Sequence, residues 1–258
     1  MKFIHESAIV SPTAQIGEDC YIGAFSTVGD DVILGNAVRL ESHVVIDGMT
    51  TVGDETRVFP FVSIGLAPQD LKYGGEPTKV EIGKRNHIRE FVTIHRGTAN
   101  GGGLTKIGDD NLLMAQAHIA HDCKLGNEII MANAATLAGH VEIADKASVG
   151  AYSGVHQFCR VGREAFVGGY SVVVKDALPF AISQGNHAKC YGLNRVGMKR
   201  RGYSKETIEK LHHAYHLLLS SKLNTSQAVE KIREDISDCA EVIYLVEFIE
   251  TSQRGVVK

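Results

Sequence analysis

The sequence predicts a mainly β fold, in which a parallel β-helix of hexapeptide repeats is followed by a small α-helical domain. Ile, Val, Leu or Met recurs at every sixth residue at 26 positions between Ile4 and Val173, and glycine often follows it, as at Ile16-Gly17. After Val173 this repeat stops and amphipathic helical patterns begin. A period of six is neither the 3.6 of an α-helix nor simple strand alternation, whereas it is the repeat of a parallel β-helix.

Each hexad is expected to form one short strand with its apolar residue pointing inward. Three strands make one coil, so a residue should lie over the residue 18 positions later, at a spacing of about 4.8 Å. One coil cannot bury its own inner face, and stability therefore comes from the contact of each coil with its neighbours. The spacing alone does not fix the handedness of the helix.

Two segments interrupt the repeat. The first, residues 66–80, leaves Ile64 and Ile82 three hexads apart, which predicts the loss of one coil without a change of phase. It contains Asp70 and Lys72, and loops that leave a rigid scaffold often have functional roles.

The second interruption, residues 96–105, changes the phase, because the interval from Ile94 to Ile107 is not a multiple of six. Its three consecutive glycines lack the strand and helix context of a phosphate-binding loop. We expect a mobile, protruding loop.

The predicted domains are residues 1–186, the β-helix with its two loops, and residues 187–258, a connector and a helical domain. Ser204 is a candidate N-cap for a first helix with apolar positions from Ile208 to Leu219. A second helix is expected from Thr225 to about Ile236, and a third from Asp238 to about Thr251.

Composition excludes several classes of protein. The chain is 44% apolar and 22% charged with a net charge of −3, which argues against a general nucleic-acid binder. No stretch approaches the roughly 18 consecutive apolar residues of a membrane span, so no transmembrane segment is expected. The five cysteines are scattered and without CxxC spacing, which indicates reduced thiols and a cytoplasmic protein.

A polar cluster in the last block of repeats is the strongest sign of a functional site. By the 18-residue rule, Asp122 should stack on His140, and a glycine in the neighbouring column should leave room for a ligand. A neutral imidazole can accept a proton at cellular pH, a carboxylate can fix its tautomer, and backbone amides can stabilise an oxyanion. The cluster comprises His118, His121, Asp122, Gly139, His140 and Gln157.

Zinc binding is a competing interpretation of the same cluster. His118 and His121 have the spacing of a metal pair on a helix, but side chains along a strand alternate in direction. General-base catalysis is the preferred hypothesis, and a zinc-dependent β-helix hydratase stays an alternative. No serine or cysteine lies in an evident nucleophile setting, which favours direct group transfer.

Several motifs resemble one known family. They are Asn-Leu-Leu-Met at 111–114, His-Ile-Ala-His-Asp at 118–122, Val-His-Gln-Phe at 155–158, Gln-Gly-Asn-His at 184–187 and Lys-Arg-Arg-Gly at 199–202. Over essentially its whole length the chain resembles the acyl carrier protein–UDP-N-acetylglucosamine O-acyltransferases of lipid A synthesis. The resemblance implies a left-handed β-helix and a homotrimer with active sites between chains. It also implies acyl carrier protein and UDP-N-acetylglucosamine as substrates, with no cofactor or metal.

The resemblance also assigns residues. It implies His121 as the general base and the Gly139 amide as the oxyanion donor. Asp122, adjacent to His121 in the sequence, is the carboxylate expected to hold the imidazole. Gly169 matches the residue that measures acyl length, so a long chain near 3-hydroxymyristoyl is expected. The expected substrate contacts are Asp70, Lys72, His118, His140, Gln157, Gly169, His187, Asn194 and Arg200.

The basic residues Lys199, Arg201 and Lys205 are expected to dock the acidic carrier protein. One departure from the family pattern is Arg195-Val196, where an acidic residue is expected, and this affects the nucleoside contacts. Acylation of a 3-amino sugar nucleotide remains an alternative reaction.

Overall fold

Twenty-eight strands and four α-helices make up residues 2–258, which the computed structural model describes. The strands form three sheets, which we call A, B and C and which are the sides of a prism. Sheet A contains β1 (Phe3–Ile4), β4 (Tyr21–Ile22), β7 (Arg39–Leu40), β10 (Arg57–Val58), β13 (His87–Ile88), β16 (Leu112–Leu113), β19 (Ile130–Met131), β22 (Ser148–Val149), β25 (Phe166–Val167), β27 (Ala181–Gln184) and β28 (Lys189–Leu193).

The other two sheets are parallel throughout. Sheet B contains β2 (Ile9–Val10), β5 (Thr27–Val28), β8 (Val45–Ile46), β11 (Ser63–Leu66), β14 (Thr93–His95), β17 (His118–Ile119), β20 (Thr136–Leu137), β23 (Gly154–Val155) and β26 (Val172–Val173). Sheet C contains β3 (Gln15–Ile16), β6 (Ile33–Leu34), β9 (Met49–Val52), β12 (Lys79–Ile82), β15 (Leu104–Ile107), β18 (Lys124–Leu125), β21 (Glu142–Ile143) and β24 (Arg160–Val161).

The recurring apolar residues form the core, as the repeat predicts. Within uninterrupted coils the strand partners are three hexads apart, for example Ile119 over Leu137. From Ile22 onward every residue of the repeat is buried, whereas Ile4 is 42% exposed at the open end. Burial on neighbouring coils rather than within one coil explains that difference.

The first interruption corrects the predicted register. Ile82 lies in sheet C and pairs with Val52, five hexads earlier, whereas Ile64 lies in sheet B and pairs with Ile94. No coil is lost. Instead, an insertion as long as two hexads lies where the chain passes from sheet B to sheet C. The separation of Ile64 and Ile82 is misleading because an insertion of that length keeps the six-residue count.

The second interruption changes the phase, as predicted. Ile82 pairs with Ile107, so the coil between them exceeds three hexads by an insertion that is not a whole number of hexads. Both insertions leave the prism between a strand of sheet B and the next strand of sheet C, an edge that we call the B–C corner. Here we call residues 67–78 the first excursion and residues 96–103 the second excursion. The second contains a short 3-10 helix, Ala99–Gly101.

The helical region closes the far end of the prism. Its helices are α1 (Arg195–Arg200), α2 (Lys205–Leu219), α3 (Thr225–Asp235) and α4 (Ala240–Glu250). Ser204 caps α2 by accepting a hydrogen bond from the Thr207 amide, as predicted, whereas α1 was not predicted. The helices share a core with Leu178 and Phe180 of the β-helix end. None of the helices in residues 2–258 has the length and hydrophobicity needed to span a bilayer.

The predicted domain border between residues 186 and 187 stays a prediction. Strand β27 pairs with β25 in parallel and so continues sheet A, and β28 returns antiparallel to β27. The chain thus leaves the β-helix gradually between these two strands.

Candidate active site

The candidate site lies at the B–C corner, one coil beyond the second excursion. Asp122, His140 and Phe158 occupy equivalent corner positions in three successive coils, each with a left-handed backbone (φ between 60° and 64°). The His140 ring stacks on Phe158 with ring centres 4.4 Å apart, and its Nε2 lies 3.9 Å from Asp122 Oδ2. The predicted stacking of Asp122 and His140 is therefore present.

His121 and Asp122 form the centre of the site. His121 Nδ1 lies 2.7 Å from Asp122 Oδ2, and the Asp122 side chain is fully buried. The carboxylate also accepts two hydrogen bonds from Thr98, at 2.9 Å from its amide and 2.7 Å from its hydroxyl. Because the carboxylate is the acceptor on that side, we assign the shared proton to Nδ1 of His121, which leaves Nε2 as a proton acceptor.

Because Gly139 has no side chain, the imidazole of His121 can pack directly against its backbone. A Cβ at Gly139 would lie 2.5 Å from Cε1 and 2.7 Å from Nε2 of His121, so any other side chain would displace the ring. The prediction that this glycine leaves room for a ligand is therefore wrong, because the imidazole fills that room. Within residues 2–258 the Gly139 amide donates to no acceptor, whereas the neighbouring His140 amide donates to the His121 carbonyl.

His118 and His95 lie on neighbouring strands of sheet B, β17 and β14. His118 Nδ1 is 2.6 Å from Thr93 Oγ1, and the His118 ring packs edge-on against His95 with ring centres 5.0 Å apart. Burial lowers the pKa of His118, and the nearby His121 lowers it further. Burial also lowers the pKa of His140, although the Asp122 carboxylate acts in the opposite direction. Both rings are therefore neutral near pH 7.

His95 was not predicted from the sequence. It is only 6% exposed, and burial followed by the proximity of His118 and His121 lowers its pKa to about 4. Its Nδ1 is buried and has no hydrogen-bond partner in the part of the chain that the structure describes. The 18-residue rule could have found it only after the insertion was known, because the second excursion lengthens the coil between strands β14 and β17.

The second excursion is packed on the site rather than protruding, contrary to expectation. Thr98 is buried, and Gly101 lies so close to Asp122 that a Cβ there would be 2.0 Å from the carboxylate carbon. The two excursions also contact each other, since Arg96 Nε donates to Tyr73 Oη at 2.9 Å. Asp70, on the first excursion, is near enough to raise the pKa of His140 slightly against the larger effect of burial.

Three other predicted site residues, Gln157, Lys72 and His187, make no hydrogen bond to the His121–Asp122 pair within residues 2–258. Gln157 and Lys72 are exposed. The Gln157 carbonyl pairs with His156 Nδ1 at 3.1 Å, and within residues 2–258 the Gln157 side-chain amide makes no hydrogen bond to His118, His121 or His140. His187 is exposed and lines a separate cavity with Lys175, Lys189 and Lys258. The expected convergence of the Gln157 amide on the imidazoles is therefore absent from the single chain.

Asn194, Arg200 and Gly169 lie at other edges of the prism. Asn194 caps α1, and Arg200 is exposed at the end of that helix. The segment after α1 is tied to the corner between sheets C and A, because Arg201 Nη2 donates to the Lys146 carbonyl at 3.0 Å. Gly169 lies at the corner between sheets A and B, beside the stacked rings of Tyr152 and Tyr170.

His121, Asp122 and His140 are also the one group of possible metal ligands found within residues 2–258, with their ligand atoms within 4.8 Å of one another. Their hydrogen bonds do not fit a metal site well. Both Asp122 oxygens accept hydrogen bonds from Thr98, and the nearest nitrogen of His121 is engaged with the same carboxylate. Catalytic zinc sites need three such donors free to face the ion.

Comparisons with known proteins agree with this geometry. Residues 176–257 match the profile of domain 2 of UDP-N-acetylglucosamine O-acyltransferase, and residues 13–48 match six bacterial transferase hexapeptide repeats. A curated acyl-acyl carrier protein–UDP-N-acetylglucosamine O-acyltransferase from Thermodesulfovibrio yellowstonii is 50% identical over 100% of both chains. The chain belongs to this acyltransferase family.

Solved structures of the family have the same architecture. The enzyme from Acinetobacter baumannii matches with a TM-score of 0.97 and 44% identity, over 99% of this chain and 100% of that one. The acyltransferase from Bacteroides fragilis matches with a TM-score of 0.97 and 39% identity over the same shares. The predicted left-handed parallel β-helix with a small C-terminal helical region is thereby confirmed.

Proposed function

We propose that this acyltransferase moves a (R)-3-hydroxyacyl group from acyl carrier protein to the 3-hydroxyl of UDP-N-acetylglucosamine, the first step of lipid A synthesis. The observation that carries the proposal is the His121–Asp122 pair beside the Gly139 amide, which donates to no acceptor in the part of the chain that the structure describes. Together they supply a base and an oxyanion donor, at the corner from which both excursions leave. The family of the chain supports the two substrates.

The proposed reaction is a direct transfer. His121 Nε2 takes the proton of the sugar 3-hydroxyl while that oxygen attacks the thioester carbonyl carbon. The Gly139 amide stabilises the developing oxyanion, and Asp122 stabilises the imidazolium. The carbon–sulfur bond then breaks, and the imidazolium returns its proton to the departing thiolate. No covalent enzyme intermediate is needed.

We also propose a homotrimer with shared sites. Asn194 and Arg200 belong to α1, whose end is tied to the corner between sheets C and A, whereas His121 lies at the B–C corner. A single chain therefore does not bring Asn194 and Arg200 close to His121, whereas these residues of a neighbouring chain could reach it. Exposed aromatic rings at the corner between sheets A and B support contact with other copies, among them Phe25, Phe61, Phe91, Tyr152 and Tyr170.

The remaining substrate contacts are proposals on the same basis. Asp70, Lys72, His118 and His140 surround the B–C corner on one chain, and Gln157, His187, Asn194 and Arg200 would complete the sugar-nucleotide site in the trimer. A cytoplasmic location is supported by five free cysteines, which suit a reducing compartment.

Product analysis tests the reaction. The purified enzyme is given thioesters of acyl carrier protein with each of two acceptors, UDP-N-acetylglucosamine and its 3-amino analogue, and products are identified by mass spectrometry. We expect an ester of the first acceptor, formed equally well after treatment with a metal chelator. An amide of the second as the main product, or loss of activity with chelator, would contradict the proposal.

Removal of the base tests the mechanism. We expect His121→Ala to lower turnover by about 10²–10⁴-fold without unfolding the protein, because general-base assistance is typically worth that factor. His212→Ala, which removes an exposed histidine of α2, is the matched control and should leave turnover unchanged. Turnover of His121→Ala within threefold of the wild type would refute this assignment.

A further inference from the structure

We propose that Thr98, on the second excursion, is a positioning residue for the catalytic pair. Its amide and hydroxyl fix the Asp122 carboxylate, so that Asp122 in turn holds the His121 imidazole in the orientation that proton transfer needs. This inference rests on the proposed function, because it concerns the same base. It gives the second excursion a role in catalysis without contact with the substrate.

The contacts of the carboxylate carry the argument. Asp122 Oδ1 accepts from the Thr98 amide at 2.9 Å, and Oδ2 accepts from the Thr98 hydroxyl at 2.7 Å. Oδ2 is also the atom that binds His121 Nδ1. Thr98 is 4% exposed and the Asp122 side chain is fully buried, so water does not replace these donors. Hydrogen bonds to a buried charged acceptor are among the strong ones.

The backbone of Asp122 is held separately from its side chain. Its amide donates to Thr105 Oγ1 at 2.8 Å, and its left-handed conformation belongs to the corner itself. Loss of the Thr98 hydroxyl would therefore free the torsion of the carboxylate while leaving the corner in place. Thr98 thus acts on the orientation of Asp122 rather than on the fold of the coil.

The loop that carries Thr98 is held in place from both sides. The Ala99 amide donates to Glu76 Oε1 at 3.2 Å, and Arg96 donates to Tyr73, so the second excursion is braced on the first. On the other side Gly101 allows the loop to close against the carboxylate. The base is therefore linked through Thr98 to the loop that contains Asp70 and Lys72.

A double-mutant cycle tests the inference. We expect Thr98→Val to lower kcat by about tenfold or more, because a hydrogen bond to a charged group is lost, with KM for UDP-N-acetylglucosamine within threefold of the wild-type value. Thr98→Ser should restore kcat to within threefold. In an Asp122→Asn background, Thr98→Val should add less than a twofold loss, because the two residues act as one unit. If Thr98→Val fails to fold, Thr98→Ala provides the same measurement.

Thr56→Val is the matched control. Thr56 is also a fully buried threonine, and its hydroxyl donates to the Gly83 carbonyl at 3.1 Å, away from the B–C corner. The kcat of the Thr56→Val variant should equal that of the wild type. Full activity of Thr98→Val, or a loss that simply multiplies that of Asp122→Asn, would overturn the inference. An active His121→Ala would instead overturn the proposed function, so the two failures are distinguishable.

Discussion

At the scale of single residues, the site combines His121, whose imidazole is paired with the Asp122 carboxylate, with other histidines that burial keeps neutral. His95, His118 and His140 all have lowered pKa values, with burial as the largest cause in each case. Neutral rings can lie close together without repulsion, and they can accept or donate hydrogen bonds to a polar substrate. The cost is that each of them resists protonation when the pH falls.

His95 should therefore make the protein sensitive to acid. Its pKa is about 4 in the folded chain against an ordinary value of about 6.5, so the unfolded chain binds the additional proton between these values. The contribution of the neutral His95 ring to the free energy of unfolding is fully present above pH 6.5. It is lost as the pH falls toward 4, and the loss is about 3 kcal/mol at most. We expect His95→Gln to lose less stability than the wild type between pH 7 and pH 4.5.

Urea unfolding followed by circular dichroism at both pH values checks this prediction. His87→Gln is a suitable control, since His87 is exposed on sheet A and should not alter the pH dependence. An identical fall in the unfolding midpoint for His95→Gln and wild type would mean that the buried ring does not titrate as described.

At the scale of elements, the repeat predicted the strands well and the insertions poorly. The positions from Ile22 to Ile64 and from Ile107 to Val173 are buried because stacking requires it, and α2 begins at its predicted cap. The register of the first insertion could not be read from the repeat, because an insertion of two hexads preserves the count. The packing of the second excursion could not be predicted either, since it depends on the approach of Thr98 and Gly101 to a carboxylate in the next coil.

The basic element around α1 is the proposed docking surface for the acidic carrier protein. Arg201 is not free for this role, because it donates to the Lys146 carbonyl and lies 3.9 Å from the buried Glu164. Arg201→Glu would place a carboxylate beside Glu164 and disturb the structure as well. Lys199 and Lys205 are exposed and are better probes.

We expect Lys199→Glu combined with Lys205→Glu to raise KM for the acyl carrier protein severalfold while leaving KM for UDP-N-acetylglucosamine little changed. The difference from wild type should shrink as salt is added, because the charges are exposed and screened. Lys222→Glu, an exposed charge reversal elsewhere in the helical region, is the control. Equal effects on both substrates, or no dependence on salt, would argue against docking at α1.

At the scale of the whole molecule, Gly169 should limit the length of the acyl chain. It lies at the corner between sheets A and B, about 2.7 coils beyond His121 along the prism, which is roughly 13 Å at ~4.8 Å per coil. Because His121 is at the B–C corner, Gly169 would face the acyl group from a neighbouring chain of the proposed trimer. A Cβ at Gly169 would meet the Ala151 carbonyl oxygen at 3.3 Å, which is tight but leaves room for a side chain directed outward. Glycine keeps this level open, in agreement with a long acyl group.

Gly169→Met should therefore shift the preference toward acyl groups shorter by several carbons, at a small cost in stability. Competition between acyl carrier protein thioesters of graded length, followed by mass spectrometry, measures the shift. Thr51→Met adds the same side chain at an exposed strand position in an early coil and should not change the preference. An unchanged profile for Gly169→Met would place the limit elsewhere.

The shared site makes the sharpest prediction for the assembly. If His121 of one chain works with Arg200 of the next, a cyclic trimer containing both His121→Ala and Arg200→Ala chains has one junction at which both residues are native, whatever the ratio of the two chains. Each variant alone should be nearly inactive, whereas mixed trimers, purified through two different affinity tags, should regain about one third of wild-type turnover per trimer. If both residues instead served the same chain, no chain of the mixed trimer would carry an intact set, and the mixture would stay as inactive as its parents.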